Sequence, residues 1–168
     1  MGAARGFLGK FIGPAIAVWL GWSGLAWAGE QPIAFNHKAH ISAGLECPIC
    51  HRYVLEQAFA TLPSLEICLM CHTSKMTDNP EEEKIREFAK RGEPLRWWRL
   101  YVLDPNAAIY FSHRRHVAQG NIPCVTCHGP MAEQTKPPAR ALVQFNMEFC
   151  INCHQQKKVS TACADCHR

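Results

Sequence analysis

The chain has 168 residues and a formal net charge of +4, with 11 glycines, 11 prolines and ten cysteines. This length is enough for one domain or for two small ones. The small basic surplus is weak evidence for nucleic-acid binding, and the sequence contains no glycine-rich phosphate loop and no RNA-binding pattern. We therefore expect no nucleic-acid partner.

Residues 1–28 differ from the rest of the chain. Arg5 and Lys10 precede an uncharged apolar run over residues 11–28, which ends in a small-x-small cleavage pattern, Ala-Trp-Ala. The run of about 18 residues is just long enough to cross a bilayer as a helix. We expect either a cleaved signal peptide or a retained N-terminal membrane anchor. Both place the remainder on the periplasmic side of a bacterial cytoplasmic membrane, anchored there or peripherally held.

A six-residue pattern follows and is repeated later in the chain. Residues 35–40 and 111–116 share the order Phe, small polar residue, His, basic residue, any residue, His. Such an internal repeat predicts a duplicated structural unit. Histidines at i and i+3 project to nearly the same side of a helix, so the two histidines of each copy could reach two different metal ions.

The motif Cys-x-x-Cys-His occurs five times and uses all ten cysteines; we number these attachment motifs one to five in chain order. Two thiols at this spacing bond the two vinyl groups of one haem, and the adjacent histidine becomes the proximal iron ligand. The sequence therefore predicts five haem c groups. The attachment residues are Cys47, Cys50, Cys68, Cys71, Cys124, Cys127, Cys150, Cys153, Cys163 and Cys166, and the proximal ligands are His51, His72, His128, His154 and His167.

Three other uses of these cysteines fit less well. A disulfide framework gives no reason for a histidine after every second cysteine. Zinc sites need four ligands from paired Cys-x-x-Cys knuckles, and an odd number of knuckles with a fixed trailing histidine does not supply them. A thioredoxin-like redox motif would occur once, beside a βαβ pattern.

Four histidines remain after the proximal ligands are assigned, and all four lie in the repeated pattern. We predict that they are distal iron ligands: His37, His40, His113 and His116. The first histidine of each copy should serve the haem that follows it, so that His37 pairs with His51 and His113 with His128. The second histidine of each copy should cross to another haem.

Four spare histidines leave one of five haems without a second histidine. A methionine thioether is the usual substitute and raises the reduction potential. We favour Met147, three residues before motif four, ahead of Met131 and Met76, whereas Met70 lies inside motif two and is poorly placed for another iron. An open iron is the alternative.

The chain offers few residues for each of five haems, so the haems must supply most of the core. We expect a mainly α fold with much irregular structure, wrapped around five covalent haems, plus one N-terminal hydrophobic helix. Helix signals predict an element over residues 80–91: an Asn cap, proline at the first position, acidic residues first, basic residues last and glycine after it. The predicted organisation is a two-haem module (29–76), a linker containing that helix (77–110) and a three-haem module (111–168).

The repeated Phe-x-His-x-x-His pattern together with the attachment motifs resembles the class III multihaem cytochromes c. The ordered set is similar, more specifically, to the pentahaem cytochrome subunit of alternative complex III. The residues that carry this resemblance are 31–37, 98–116, 127–130 and 147–150. It implies partner subunits of iron–sulfur/molybdoenzyme and quinol-site type, with electrons from a quinol leaving through the haems to a monohaem cytochrome c or an oxidase. Family members often keep an N-terminal anchor.

The predicted function is electron conduction by a subunit of a quinol-oxidising respiratory complex, without catalytic residues of its own. Haems packed in a row let electrons hop without bond making, and the protein sets ligation, spacing and potential. Two alternatives are a soluble periplasmic electron shuttle and, less well supported, a multihaem reductase with an open haem.

Overall fold

The computed structural model describes residues 30–167. They form short helices joined by irregular segments, and this part of the chain contains no strand beyond an isolated bridge between Ile109 and His167. The α-helices are α1 (His37–Ser42), α2 (Cys47–Cys50), α3 (Leu65–Leu69), α4 (Pro80–Arg91), α5 (Cys124–His128), α6 (Met147–Gln156) and α7 (Cys163–Cys166). Two 3₁₀ turns (Pro105–Ala107 and Met131–Glu133) and a π-helical turn (Arg114–Gln119) complete the set. The mainly helical and irregular character agrees with the prediction.

The predicted N-terminal hydrophobic helix and the signal-or-anchor segment over residues 1–28 lie outside the described residues. Within residues 30–167, none of the helices has both the length and the apolar character needed to cross a membrane.

Asparagine side chains start three of the helices. The Oδ1 atom of Asn36 accepts a hydrogen bond from the third residue after it (2.9 Å), and Asn146 does the same at the start of α6 (2.7 Å). At the start of α4, Asn79 accepts from the amide two residues on (3.0 Å). Each cap satisfies an amide that the first helical turn leaves without an intrahelical partner.

Helix α4 has the bounds that its sequence signals indicate. Pro80 occupies the first position, where its missing N–H costs nothing, and three glutamates fill the first turn. Lys90 and Arg91 lie in the last turn, where they complement the helix dipole. Gly92 then takes a left-handed conformation with φ of 66°, which ends the helix.

The side-chain core is small. Ile33, Leu65 and Ile85 form one buried cluster, which joins the segment before α1 to α3 and α4. Trp97 packs against this cluster and its Nε1–H donates to the carbonyl of Pro63 (2.7 Å). Among the described residues, the buried apolar residues are Ile33, Val54, Leu65, Ile85 and Ile122. So small a core is what we expect where cofactors fill the interior.

The two copies of the repeat are held by opposite halves of the chain. Helix α1 packs against the Met131–Glu133 turn, and the Lys38 amide donates to the carbonyl of Gln134 (3.0 Å). In the second copy, the His113 amide donates to the carbonyl of Ala58 (2.9 Å). These bonds cross between the predicted two-haem and three-haem modules, so the two segments are interlocked within one structure.

The copies differ by one residue, and the π-helical turn absorbs it. His37 precedes its attachment cysteine by 10 residues, and His113 precedes its own by 11. A π turn accommodates one more residue than an α turn. The wider turn closes where the Gly120 amide donates to the carbonyl of Arg115 (2.9 Å). A Cβ atom on Gly120 would lie 2.8 Å from the His116 carbonyl oxygen, so this position needs glycine.

Candidate haem centres

Each attachment motif is wound into a helical turn. The turns are α2, the end of α3, α5, the middle of α6, and α7. In motifs one, two and five, the amide of the histidine donates to the carbonyl of the first cysteine at 2.9 Å. Residues at i, i+3 and i+4 share one face of a helical turn, so both thiols and the imidazole of a motif lie on the same side. That is the placement that covalent attachment and proximal ligation require.

The ten thiols are all free. The disulfide framework considered from sequence is therefore not formed, since all ten cysteines lie in the described part of the chain. Within residues 30–167 there is also no group of three or more His, Cys, Asp or Glu side chains arranged to hold a bare metal ion.

Three of the predicted distal histidines face a proximal histidine. The ring-centroid separations are 6.1 Å for His40 and His72, 6.2 Å for His113 and His128, and 6.1 Å for His116 and His154. A metal bound at about 2 Å by nitrogens of two opposed imidazoles holds their ring centres roughly 6 Å apart. These three pairs therefore have the separation that a shared haem iron requires.

His37, the fourth of the predicted distal histidines, lies beside His51. Burial lowers the pKa of His37 to about 4, and the neighbouring rings of His51 and His40 add to this effect. A neutral imidazole keeps the nitrogen lone pair with which it binds metal. Pairing His37 with His51 leaves His167 as the proximal histidine without a second histidine assigned to it.

Most of the histidines are held in one orientation by a backbone carbonyl. A neutral imidazole that donates from Nδ1 presents the lone pair of Nε2, which is the usual arrangement around a metal. The Nδ1 contacts are His40 to Asn36 (2.8 Å), His51 to Thr61 (2.8 Å), His116 to Ser112 (2.8 Å), His154 to Ser160 (2.7 Å) and His167 to Ala107 (2.8 Å). The nitrogens available to iron are thus specified before any haem is considered.

One phenylalanine in each repeat contacts both of its histidines. The ring of Phe35 stacks on His40 (4.4 Å between centroids) and meets His37 edge-on (4.8 Å). Phe111 stacks on His116 (4.6 Å) and meets His113 edge-on (4.9 Å). The sequence marked phenylalanine as part of the pattern without giving it a role. The structure gives it one, because it fixes two imidazole planes at once.

Tyr101 is a supporting residue that the sequence analysis missed. Its hydroxyl donates to the carbonyl of His128 (2.9 Å) and accepts from the amide of Leu142 (3.0 Å). Its ring also lies edge-on to the His128 imidazole at 4.5 Å. The residue stands 27 positions from His128, so no local pattern links the two.

The environment of His72 differs from that of the histidines bonded to backbone carbonyls. Its Nδ1 atom is buried and makes no hydrogen bond to the described residues. The Oε1 atom of Glu82 lies 3.6 Å from it. Hydrogen bonds from Thr77, Met76 and Arg86 hold the pKa of Glu82 well below its usual range, so this carboxylate is ionised.

The methionine candidates have different surroundings. Met147 is the first residue of α6 and is 68% exposed as a residue, and Met76 is 61% exposed. Met131 begins a 3₁₀ turn. The sulfur of Met70 accepts a hydrogen bond from the guanidinium of Arg52 (3.3 Å), which holds the Met70 side chain against Arg52. The choice of Met147 stays a prediction.

Attachment motifs that are distant in sequence adjoin in space. Burial raises the pKa of the Cys47 thiol, and the neighbouring Cys124 thiol adds to the shift. Motif one therefore lies against motif three. Burial likewise raises the pKa of Cys68 to about 11, with a further contribution from Cys50, so motif one also lies close to motif two.

The last three motifs continue this row. Burial raises the pKa of Cys127, and the thiol of Cys153 contributes, which places motif three beside motif four. Burial also raises the pKa of Cys150, with the thiol of Cys166 contributing, so motif four adjoins motif five. The spatial order of the attachment motifs is thus two, one, three, four, five.

Comparison with known proteins agrees with this geometry. Residues 109–168 match the family of cytochrome c7 and related cytochrome c, and residues 23–93 match the class III cytochrome c family. The menaquinone reductase multiheme cytochrome c subunit of Nitratidesulfovibrio vulgaris is 30% identical to this chain over 191 residues, which cover 94% of the chain and 88% of that protein. The chain belongs to the class III multihaem cytochromes c. Its function is electron transfer through covalently bound c-type haems, and the attachment turns and paired imidazoles described above fit that cofactor.

Proposed function

We propose that this protein carries five haem c groups and conducts electrons as a subunit of a membrane quinol-oxidising respiratory complex. The observation that carries the proposal is the single row of adjoining attachment motifs, in which three proximal histidines face a second imidazole at 6.1 to 6.2 Å. Bound haem supplies the one-electron chemistry, and the protein supplies ligation, spacing and tuning.

The row defines a path with two ends. In the order two, one, three, four, five, the haem of His72 lies at one end and the haem of His167 at the other. With haems bound, electrons that enter at one end would pass each haem once before leaving. Neither end coincides with motif one, so the electron path does not follow the order of the sequence.

The haem of His167 is the one for which we propose methionine ligation. The four spare histidines adjoin four other proximal histidines, and Met147 begins the helix that carries motif four, the neighbour of motif five in the row. A thioether ligand raises the reduction potential above that of bis-histidine haems. This end of the row would then attract electrons and favour their exit towards a monohaem cytochrome c or a terminal oxidase.

The name of one relative and the resemblance of the motifs support a proposal about membrane partners. The Nitratidesulfovibrio protein is by name a subunit of menaquinone reductase, and the motifs resemble those of alternative complex III. We propose association with iron–sulfur/molybdoenzyme-like and quinol-site subunits, on the periplasmic side of the bacterial cytoplasmic membrane. Residues 1–28, if uncleaved, would anchor the chain there.

A second candidate function is electron delivery to menaquinone, which the name of that relative favours. The same row of haems would serve, with the flow reversed. The two candidates differ only in whether the purified complex reduces its periplasmic cytochrome with menaquinol or reduces menaquinone with a periplasmic donor.

The test is purification of the tagged full-length protein from membranes in mild detergent, with mass determination of every chain present. We expect a mass that includes five haems, together with several large membrane partners. Steady-state assays with menaquinol and oxidised cytochrome c, and with menaquinone and reduced donor, then give the direction. A mature chain beginning at Gly29 and released alone by osmotic shock would overturn the proposal and favour the soluble shuttle.

A further inference from the structure

We infer that Glu82 is a positioning residue for His72, and that its carboxylate lowers the reduction potential of the haem at that end of the row. The inference rests on the proposed ligation of haem by His72. It concerns a residue that belongs to no attachment motif and to neither copy of the repeat.

The contact is enclosed by protein. The side chain of Glu82 is 4% exposed and that of His72 is 18% exposed. The Nδ1 atom of His72 makes no hydrogen bond to the described residues, and it lies 3.6 Å from the Oε1 atom of Glu82. This distance is slightly longer than a formed hydrogen bond, and a movement of about half an ångström by either side chain would make one.

The carboxylate is fixed in place. Its Oε1 atom accepts hydrogen bonds from the Met76 amide (2.7 Å) and the Arg86 guanidinium (2.8 Å). Its Oε2 atom accepts from the Thr77 amide and the Thr77 hydroxyl, both at 2.7 Å. Four donors on two oxygens hold a buried carboxylate in one position, so Glu82 presents a negative charge to His72 at constant geometry.

His72 differs in this respect from three other proximal histidines. His51, His154 and His167 each have Nδ1 at 2.7 to 2.8 Å from a neutral backbone carbonyl. A carboxylate attracts the Nδ1 proton more strongly than a carbonyl does, and it makes the imidazole a more basic ligand. A more basic axial ligand stabilises ferric over ferrous iron, and a nearby negative charge acts in the same direction. The neighbouring Arg86 offsets part of this charge without removing it.

The test compares Glu82→Gln with Glu83→Gln in the purified, fully loaded protein. Glu83 also pairs with Arg86 but is an exposed residue on the same helix turn, so it controls for the loss of one negative charge. Potentiometric titration followed by optical and electron paramagnetic resonance spectra resolves the individual haems. We expect Glu82→Gln to raise the potential of one haem, and Glu83→Gln to leave all potentials unchanged.

Unchanged potentials in a loaded Glu82→Gln protein would overturn the inference and leave Glu82 as a structural residue of the segment 76–82. Glu82→Asp, which keeps the charge, should restore the low potential at least in part. A wild-type protein with the wrong haem content would instead refute the proposed function, so the two failures are distinguishable.

A second measurement needs no variant. In the reduced wild-type protein, low-spin haems are diamagnetic, and we expect the Nδ1 proton of His72 to resonate further downfield than those of His51, His154 and His167. It would be assigned through its proximity to the Glu82 side chain. A chemical shift within the range of the carbonyl-bonded histidines would overturn the inference.

Discussion

The rings of each pair of predicted distal histidines are oriented by only a few neighbouring groups. In the second copy, Phe111 contacts both rings, and the carbonyl of Ser112 accepts from Nδ1 of His116. In the first copy, Phe35 and the carbonyl of Asn36 occupy the same places. The orientation of each of these histidines is therefore set by a carbonyl four residues upstream, just before its helix or turn, and its predicted iron partner comes from elsewhere in the chain.

Replacing His40 with alanine should affect a single haem. The His72 haem would lose its sixth ligand and become high-spin, because the other proposed pairs do not use this side chain. Electron paramagnetic resonance should show a new high-spin ferric signal, and the reduced protein should bind carbon monoxide at one site. Lys38→Ala, on the same short helix, is the matched control. A His40→Ala protein whose spectrum stays entirely low-spin would contradict the pairing of His40 with His72.

Tyr101→Phe tests the support of His128. The variant keeps the ring that lies against the imidazole and removes a hydroxyl that bonds both His128 and Leu142. Losing such a bond and leaving a partner unsatisfied costs about 1–3 kcal/mol. Guanidinium denaturation, followed by helical circular dichroism with haem content verified, should show a lower midpoint. Tyr53→Phe, at an exposed tyrosine, should leave it unchanged, and an equal loss in both variants would argue against a specific role for Tyr101.

At the scale of elements, the two copies of the repeat agree in the arrangement of their predicted ligands and differ in their backbone. Helix α1 is an α-helix, whereas Arg114–Gln119 is a π-helical turn that holds the extra residue. The Phe–His–His geometry nevertheless agrees between the copies to within about 0.2 Å in ring separation. The inserted residue is therefore accommodated after the ligands, without displacing them.

Gly120→Ala should disturb this turn. The added Cβ would meet the His116 carbonyl oxygen at 2.8 Å, a backbone atom that cannot rotate away. We expect a fraction of the protein to lose His116 from the His154 haem, seen as a high-spin signal that grows with temperature. Gln119→Ala, one residue earlier, should leave the spectrum unchanged. An unaltered low-spin spectrum in Gly120→Ala would mean that the backbone relaxes without moving His116.

The sequence was most informative where the signals are local. Helix α4 could be predicted to its ends because Asn79, Pro80 and Gly92 act on their own neighbours. The attachment motifs could likewise be recognised from sequence, because the two cysteines and the histidine of each lie within five consecutive residues. The π-helical turn could not be predicted, because the extra residue between His113 and Cys124 is equally compatible with a longer loop.

The non-local part of the site was predicted only in outline. The repeat indicated that His40 and His116 serve haems other than the one that follows, but their neighbours, His72 and His154, are set by how distant segments pack. The contacts of Tyr101 and Glu82 also depend on tertiary structure. Neither residue type is unusual at its position, so the sequence alone gives no reason to single them out.

For the whole molecule, the row order can be tested by removing one haem at a time. Replacing both cysteines of motif one with serine should break the row and isolate the His72 haem from the others. The same change in motif two should remove only an end haem. Flash reduction of the purified proteins should therefore show electron equilibration slowed at least tenfold in the first variant and preserved in the second. The opposite result would indicate that haems follow the order of the sequence.

The interlocking of the two halves also has a consequence for biogenesis. The carbonyl of Ala58 receives the amide of His113, and Gln134 receives that of Lys38, so neither half reaches its final form until the other has been made. As the chain is made from its N-terminal end, its first two motifs remain incompletely packed until about 40 more residues, up to His113, have followed. The enzymes that attach haem thus meet thiols that are still accessible. The two hydrogen bonds that join the halves can form after the cofactors have been attached.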